Sequence, residues 1–115
     1  NNSSVPWFIL VPRSEGSAVE LTDLSFGEQT QVLQEINAVA ALVKSSPKVQ
    51  KLNIAALGNI VPQLHIHIVG RSTTDYCWPK LVWIADPQPA YAAESVQAWR
   101  DKVAGLTDFS PVQAA

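Results

Sequence analysis

The chain has 115 residues, a formal net charge of −2, 47% hydrophobic residues and 16% charged residues. These values fit one ordinary globular domain and exclude a disordered chain, which would be poor in apolar residues and highly charged. They also exclude a broad basic surface for a nucleic-acid polymer, and no apolar run reaches the ~20 residues that span a bilayer, so neither a polymer partner nor a membrane is expected.

Asn1 to Val5 read as a polar, frayed start, and no signal peptide is expected there. The sequence contains no methionine, even at position 1, so residues upstream of Asn1 are expected to be missing. Trp7 to Val11 is a short aromatic and aliphatic run between Pro6 and Pro12, too brief for a helix, and predicts a buried strand. Arg13 to Leu24 is loop-like. Ser25 and Glu28 have the spacing of a capping box, in which each side chain satisfies the other residue's backbone N–H. A helix should follow to about Val43, burying Val32, Ile36, Val39 and Val43 and stopping at Ser45-Ser46-Pro47. Leu52 to Leu57 predicts a second strand and Gly58-Asn59 a tight turn, since both residue types tolerate positive φ. Ile60 to Val69 predicts a third strand, ended by Gly70 and Arg71. Arg71 reads as a solvated strand end.

Ser72 to Lys80 is a polar loop carrying Tyr76, Cys77 and Trp78. Cys77 is the one cysteine, so no internal disulfide can form and a reducing, cytoplasmic setting is expected. Leu81 to Ala85 predicts another strand. A second helix should run from Ala90 to about Ala104, with Ala92, Val96, Trp99 and Val103 on one stripe and Gly105 just past its end. Trp7, Trp83 and Trp99 read as core or interface. The tail from Thr107 reads as loose.

The two histidines of the chain, His65 and His67, are one residue apart. On a strand, side chains alternate faces, so Gln63, His65 and His67 should share one face while Leu64, Ile66 and Ile68 face the core. Three readings compete. In one, the pair is two half-buried imidazoles satisfied by hydrogen bonds. In another, it supplies two ligands of a metal, and a third would have to come from Cys77 or a carboxylate such as Asp75. Or one histidine is a nucleophile: a neutral imidazole is competent near pH 7 if Nδ1 keeps its proton and a partner, leaving the Nε2 lone pair free.

Val61-Pro62-Gln63-Leu64-His65-Ile66-His67-Ile68-Val69 resembles the signature of the histidine-triad family, His-x-His-x-His followed by two hydrophobic residues, with Gln63 in place of the first histidine. The surroundings are similar too: Pro6 to Arg13, the capped helix, and Leu52-Asn53 to Gly58-Asn59, where family members carry an asparagine and a Gly-Gln pair. The resemblance is closest to a bacterial subgroup with Leu-Gly-Asn-x-Val-Pro-Gln-Leu-His-x-His and a following Trp-Pro…Val-Trp, matched by Trp78-Pro79 and Val82-Trp83.

The resemblance implies an α+β fold: an antiparallel sheet with two main helices, the long one packed on the sheet. It implies a single domain over residues 1–115, lacking the N-terminal hairpin that precedes the first strand in the family. It implies a nucleotide hydrolase or transferase that cleaves a phosphoanhydride or phosphoramidate through a nucleotidyl-histidine. His65 would be the nucleophile, His67 would bind phosphoryl oxygens or orient the nucleophile, and Gln63 would hydrogen-bond without titrating. Asn53, Gly58 and Asn59 would contact substrate. Ile60 stands where many members place a hydroxyl residue and cannot donate a hydrogen bond. The implied partners are a nucleotide substrate and a second copy in a homodimer whose sheets join, with no cofactor and no metal. A weakly active nucleotide-binding module and a metal-binding domain stay open as alternatives.

Overall fold

The computed structural model describes residues 3–106, so the expected loose tail from Thr107 lies outside the described residues. Three strands form one antiparallel sheet: β1 (Trp7–Leu10), β2 (Lys51–Ala55) and β3 (Ile66–Arg71), in the order β1-β3-β2. Two helices accompany it, α1 (Phe26–Lys44) and α2 (Ala93–Ala104). This is the α+β architecture expected, with the long helix on the sheet.

The start of α1 is set locally. Ser25 Oγ accepts from the Glu28 backbone N–H (3.2 Å), and Glu28 Oε2 accepts from the Ser25 N–H (2.7 Å). Two of the orphan N–H groups of a helix start are thereby satisfied. One stripe of α1 (Val32, Val39, Ala40 and Val43) is buried against Leu24, Leu64, Ile66 and Ile68, with Ile36, Phe8, Leu10, Val49 and Leu52 packed around it. Gly70 belongs to this layer for a steric reason. A Cβ there would lie 2.8 Å from methyl groups of both Val43 and Val49, so a side chain at this position would push helix and sheet apart. α2 presents Val96, Trp99 and Val103 inward without burying any of them fully, and Trp99 meets Phe8 edge to face at 5.3 Å. Gly105 is its C-cap, in ordinary right-handed backbone (φ −75°), rather than the residue beyond the cap.

The opposite face of the sheet carries a smaller cluster of Val5, Val69 and Val82, with Trp7, Cys77 and Trp83 packed on it. Val5, read as part of a frayed start, is buried there, and the Ser3 N–H donates to the Pro89 carbonyl.

Three local expectations are corrected. β3 begins at Ile66, not Ile60, because its neighbours give out there: β1 ends at Leu10 opposite Ile66 and β2 at Ala55 opposite His67. Residues 60–65 have no strand to pair with and form a loop, pinned by the Leu64 N–H donating to the Ala18 carbonyl. Leu81 to Ala85 is not a strand. Val82–Ile84 make a 3-10 turn that lays Val82 and Trp83 on the sheet, and an apolar run of this length cannot announce which of the two it will become. Arg71 is not solvated: it is 1% exposed.

Candidate active site

His67 sits inside β3, opposite Ile9 of β1 and Ala55 of β2. Alternation then puts His67, Val69 and Arg71 on the face away from α1, together with Trp7, Ile9, Asn53 and Ala55. His65 stands one residue before the strand. The period-2 argument that placed Gln63, His65 and His67 on one face therefore does not hold as stated. The loop nevertheless returns His65 to His67, and their rings meet edge to face with centroids 5.1 Å apart.

The hydrogen bonds of the two imidazoles decide where their protons are. His65 Nδ1 lies 2.7 Å from the Gln63 carbonyl oxygen. A carbonyl can only accept, so Nδ1 carries the proton and donates, and in the neutral ring the lone pair is on Nε2. His67 has the reverse arrangement: the Trp7 indole N–H donates to its Nδ1 at 3.0 Å, so in the neutral ring the proton is on Nε2. His67 is 8% exposed. Burial, and then the neighbouring His65, push its pKa below the usual histidine value and keep it neutral. Trp83 completes the enclosure, its ring 5.5 Å from His67 and 5.7 Å from Trp7, in both cases edge to face.

The other expected site residues are placed as follows. Gln63 is exposed and meets the site through its backbone carbonyl. Gly58 adopts φ +69°, the left-handed turn conformation expected of it, and with the exposed Asn59 it lies in the loop that leads to His65. Ile60, in the same loop, is 94% exposed. Asn53 shares the sheet face of His67 but sits opposite Val69, and its Oδ1 accepts from Arg71 Nη1 at 2.9 Å. That guanidinium also donates to both carboxylate oxygens of Asp75, at 2.7 and 3.1 Å, and lies under the Trp78 ring. Asp75 and Cys77, the two residues considered as a third metal ligand, are thus both turned to Arg71, with Cys77 Sγ at 3.6 Å from Nη2. Among the described residues no three His, Cys, Asp or Glu side chains gather into a group that could hold a metal ion. Among the described residues the histidine pair thus has no third donor beside it.

Sequence reasoning missed two participants. Trp7 and Trp83, expected in a core or interface, are partly buried against the Val5, Val69 and Val82 cluster, and they also grip His67. Their types were suggestive, yet only the register Trp7↔Val69 and Ile9↔His67 brings the indole to the imidazole. A groove of about 580 Å³ along the outer edge of β1, between α1 and α2, is lined by residues such as Phe8, Leu10, Val32 and Trp99 and by neither histidine.

An α+β sheet with one imidazole on its central strand and a second in the loop just before it, hydrogen-bonded through Nδ1 in opposite senses, is the arrangement to be compared with known proteins. The HIT domain family matches residues 1–74. Among solved structures, a histidine triad protein from Bradyrhizobium japonicum is similar with a TM-score of 0.83 and 43% identity, covering 90% of this chain and 77% of that one. A histidine triad (HIT) protein from Sinorhizobium meliloti gives 0.84 and 34% identity over 91% and 77% of the two chains. One from Marinobacter aquaeolei gives 0.80 and 37% identity over 90% and 74%. No curated protein matches. The chain belongs to the histidine-triad (HIT) family, a superfamily of nucleotide-binding hydrolases and transferases. No helix among the described residues is long and apolar enough to cross a membrane.

Proposed function

We propose that the protein is a nucleotidyl hydrolase or transferase in which His65 is the nucleophile. The observation that carries this reading is the 2.7 Å hydrogen bond from His65 Nδ1–H to the Gln63 carbonyl, which in the neutral ring places the lone pair on Nε2. Nε2 attacks the α-phosphorus of a nucleotide. The new N–P bond forms as the bond to the phosphoanhydride or phosphoramidate leaving group breaks, and the leaving group departs with that electron pair. Water or another acceptor then attacks the nucleotidyl-histidine and restores His65. His67, with its proton on Nε2, donates to phosphoryl oxygen as negative charge builds in the transition state. Asn53, Gly58 and Asn59 are the proposed substrate contacts, Asn53 with its carboxamide oriented by Arg71. Gln63 holds the nucleophile through its backbone carbonyl. Incubation with a nucleoside phosphoramidate or dinucleoside polyphosphate, a rapid acid-free quench and mass spectrometry of the His65 peptide should reveal the nucleotidyl adduct. No adduct and no turnover with either substrate class would refute the proposal.

A second reading is favoured by two residues: exposed Gln63 cannot titrate near pH 7, and Ile60, 94% exposed, offers no hydrogen bond to a leaving group. A nucleotide-binding module would bind saturably without turnover. The homodimer implied by the resemblance and the cytoplasmic setting read from the single cysteine belong to this proposal as well; light scattering at micromolar concentration tests the first.

A further inference from the structure

We infer that Trp7 is a positioning residue that holds His67 in the neutral, Nε2-protonated tautomer, with Trp83 acting as an aromatic wall and not as a hydrogen-bond partner. The lock itself is independent of the reaction; its catalytic consequence rests on the reading of His65 as nucleophile.

An indole N–H can only donate, so its 3.0 Å contact with His67 Nδ1 is satisfied when that nitrogen is a lone pair. The Nδ1-protonated tautomer and the imidazolium would each set N–H against N–H. Both are disfavoured, and the second also by burial of a charge. The two tryptophans are otherwise alike: each meets the His67 ring edge to face, at 5.8 Å for Trp7 and 5.5 Å for Trp83. They differ in one respect. The Trp83 indole N–H is buried without a hydrogen-bond partner among the described residues, whereas that of Trp7 is spent on His67. Among the described residues no charge acts on His67 to oppose the neutral form. β1 contributes Trp7 and Ile9 to this face, β2 contributes Ala55, the 3-10 turn contributes Trp83, and Cys77 lies in the adjoining cluster; of the ionisable groups only His65 acts on His67, and it disfavours a second cation. With the proton on Nε2, neutral His67 presents a donor rather than an acceptor on that side of the ring. It cannot serve as the base that removes a proton from water or from His65.

The test is selective because the protein has only two histidines. In 15N-histidine-labelled protein, with His65→Gln used for assignment, long-range 1H–15N spectra should show His67 Nδ1 unprotonated and Nε2 protonated, unchanged from about pH 8 to about pH 6. Trp7→Phe keeps the ring but removes the donor; His67 should then populate both tautomers and titrate at higher pH. Trp83→Phe should leave the tautomer as it is in the parent. With substrate, Trp7→Phe should lower kcat about tenfold to a hundredfold and move the acid limb of the kcat/KM profile to higher pH, which a merely structural defect would not do. If Trp7→Phe does not fold, the parent spectrum still decides, since a proton on His67 Nδ1 overturns the inference. An unchanged tautomer and pH limb in folded Trp7→Phe also overturns it. The predicted tautomer in a protein without turnover upholds the lock and refutes the nucleophile reading instead.

Discussion

Arg71 and Asp75 face each other as a fork on a fork: Nε and Nη2 of the guanidinium donate to the two carboxylate oxygens at 2.7 and 3.1 Å, with the side chains 1% and 3% exposed. The pair stands four residues apart at the end of β3, and the backbone N–H groups of Ser72 and Cys77 also donate to the carboxylate. Burial alone would raise the Asp75 pKa. The hydrogen bonds from Arg71, Ser72 and Cys77 and the charge of Arg71 outweigh it and hold the group at about 2.

Breaking this pair should therefore be costly. Asp75→Asn leaves a buried guanidinium without its counter-charge and should destabilise the fold by about 3 kcal/mol. A urea titration that finds the midpoint unchanged would show that the pair contributes nothing.

Two pH windows follow from two lowered pKa values. The buried His67 binds its proton less readily than in the unfolded chain, so stability should begin to fall as pH drops below the ordinary value of 6.5. Asp75 is depressed from 3.8 to about 2, so its contribution is complete above about 4 and is lost as pH falls from there toward 2. Denaturation midpoints measured across this range should show two separate declines. His67→Phe should remove the upper one and Asp75→Asn should shrink the lower, leaving the part due to Asp23, whose carboxylate accepts from the Val19 and Glu20 N–H groups.

His65→Ala should leave the fold in place, since this half-buried side chain lies in a loop outside the ladder. Stability should change by less than about 1 kcal/mol. Turnover should fall at least about a thousandfold, because the nucleophile is gone while binding remains. Calorimetry and a steady-state assay on the same preparation measure both.

Gly70→Ala puts a Cβ 2.8 Å from Val43 and Val49 methyl groups, both of them on well-anchored apolar side chains. Overpacking of this kind should cost about 2 kcal/mol. Thermal unfolding followed by circular dichroism gives the value. A variant as stable as the parent would mean that α1 and the sheet can separate freely.

Ser25→Ala removes one side of the capping box and should cost about 1 kcal/mol, with hydrogen exchange quickening first in the opening turn of α1.

What was legible in the sequence was local. The capping box, the apolar stripe of α1, the positive φ of Gly58 and the positions of the first two strands follow from near-neighbour chemistry, and the structure realises each within a residue or two, although β1, expected to be buried, is a half-buried edge strand. The histidine-triad resemblance was legible for the same reason, being a contiguous motif. The start of β3 was not, because a strand exists only where a neighbour pairs with it, and Leu10 and Ala55 set that limit from distant parts of the chain. Nor was the burial of Arg71, whose exposure depended on Asp75 and Asn53 folding back to it.

The sequence by itself thus determined which chemistry is available: two imidazoles, one residue apart, in a histidine-triad context, with Gln63 where a third would stand. Only the tertiary structure decided what state they are in. A loop carbonyl puts the proton of His65 on Nδ1, and an indole from β1 puts that of His67 on Nε2. Proton position is set by partners in space, and no spacing along the chain encodes them.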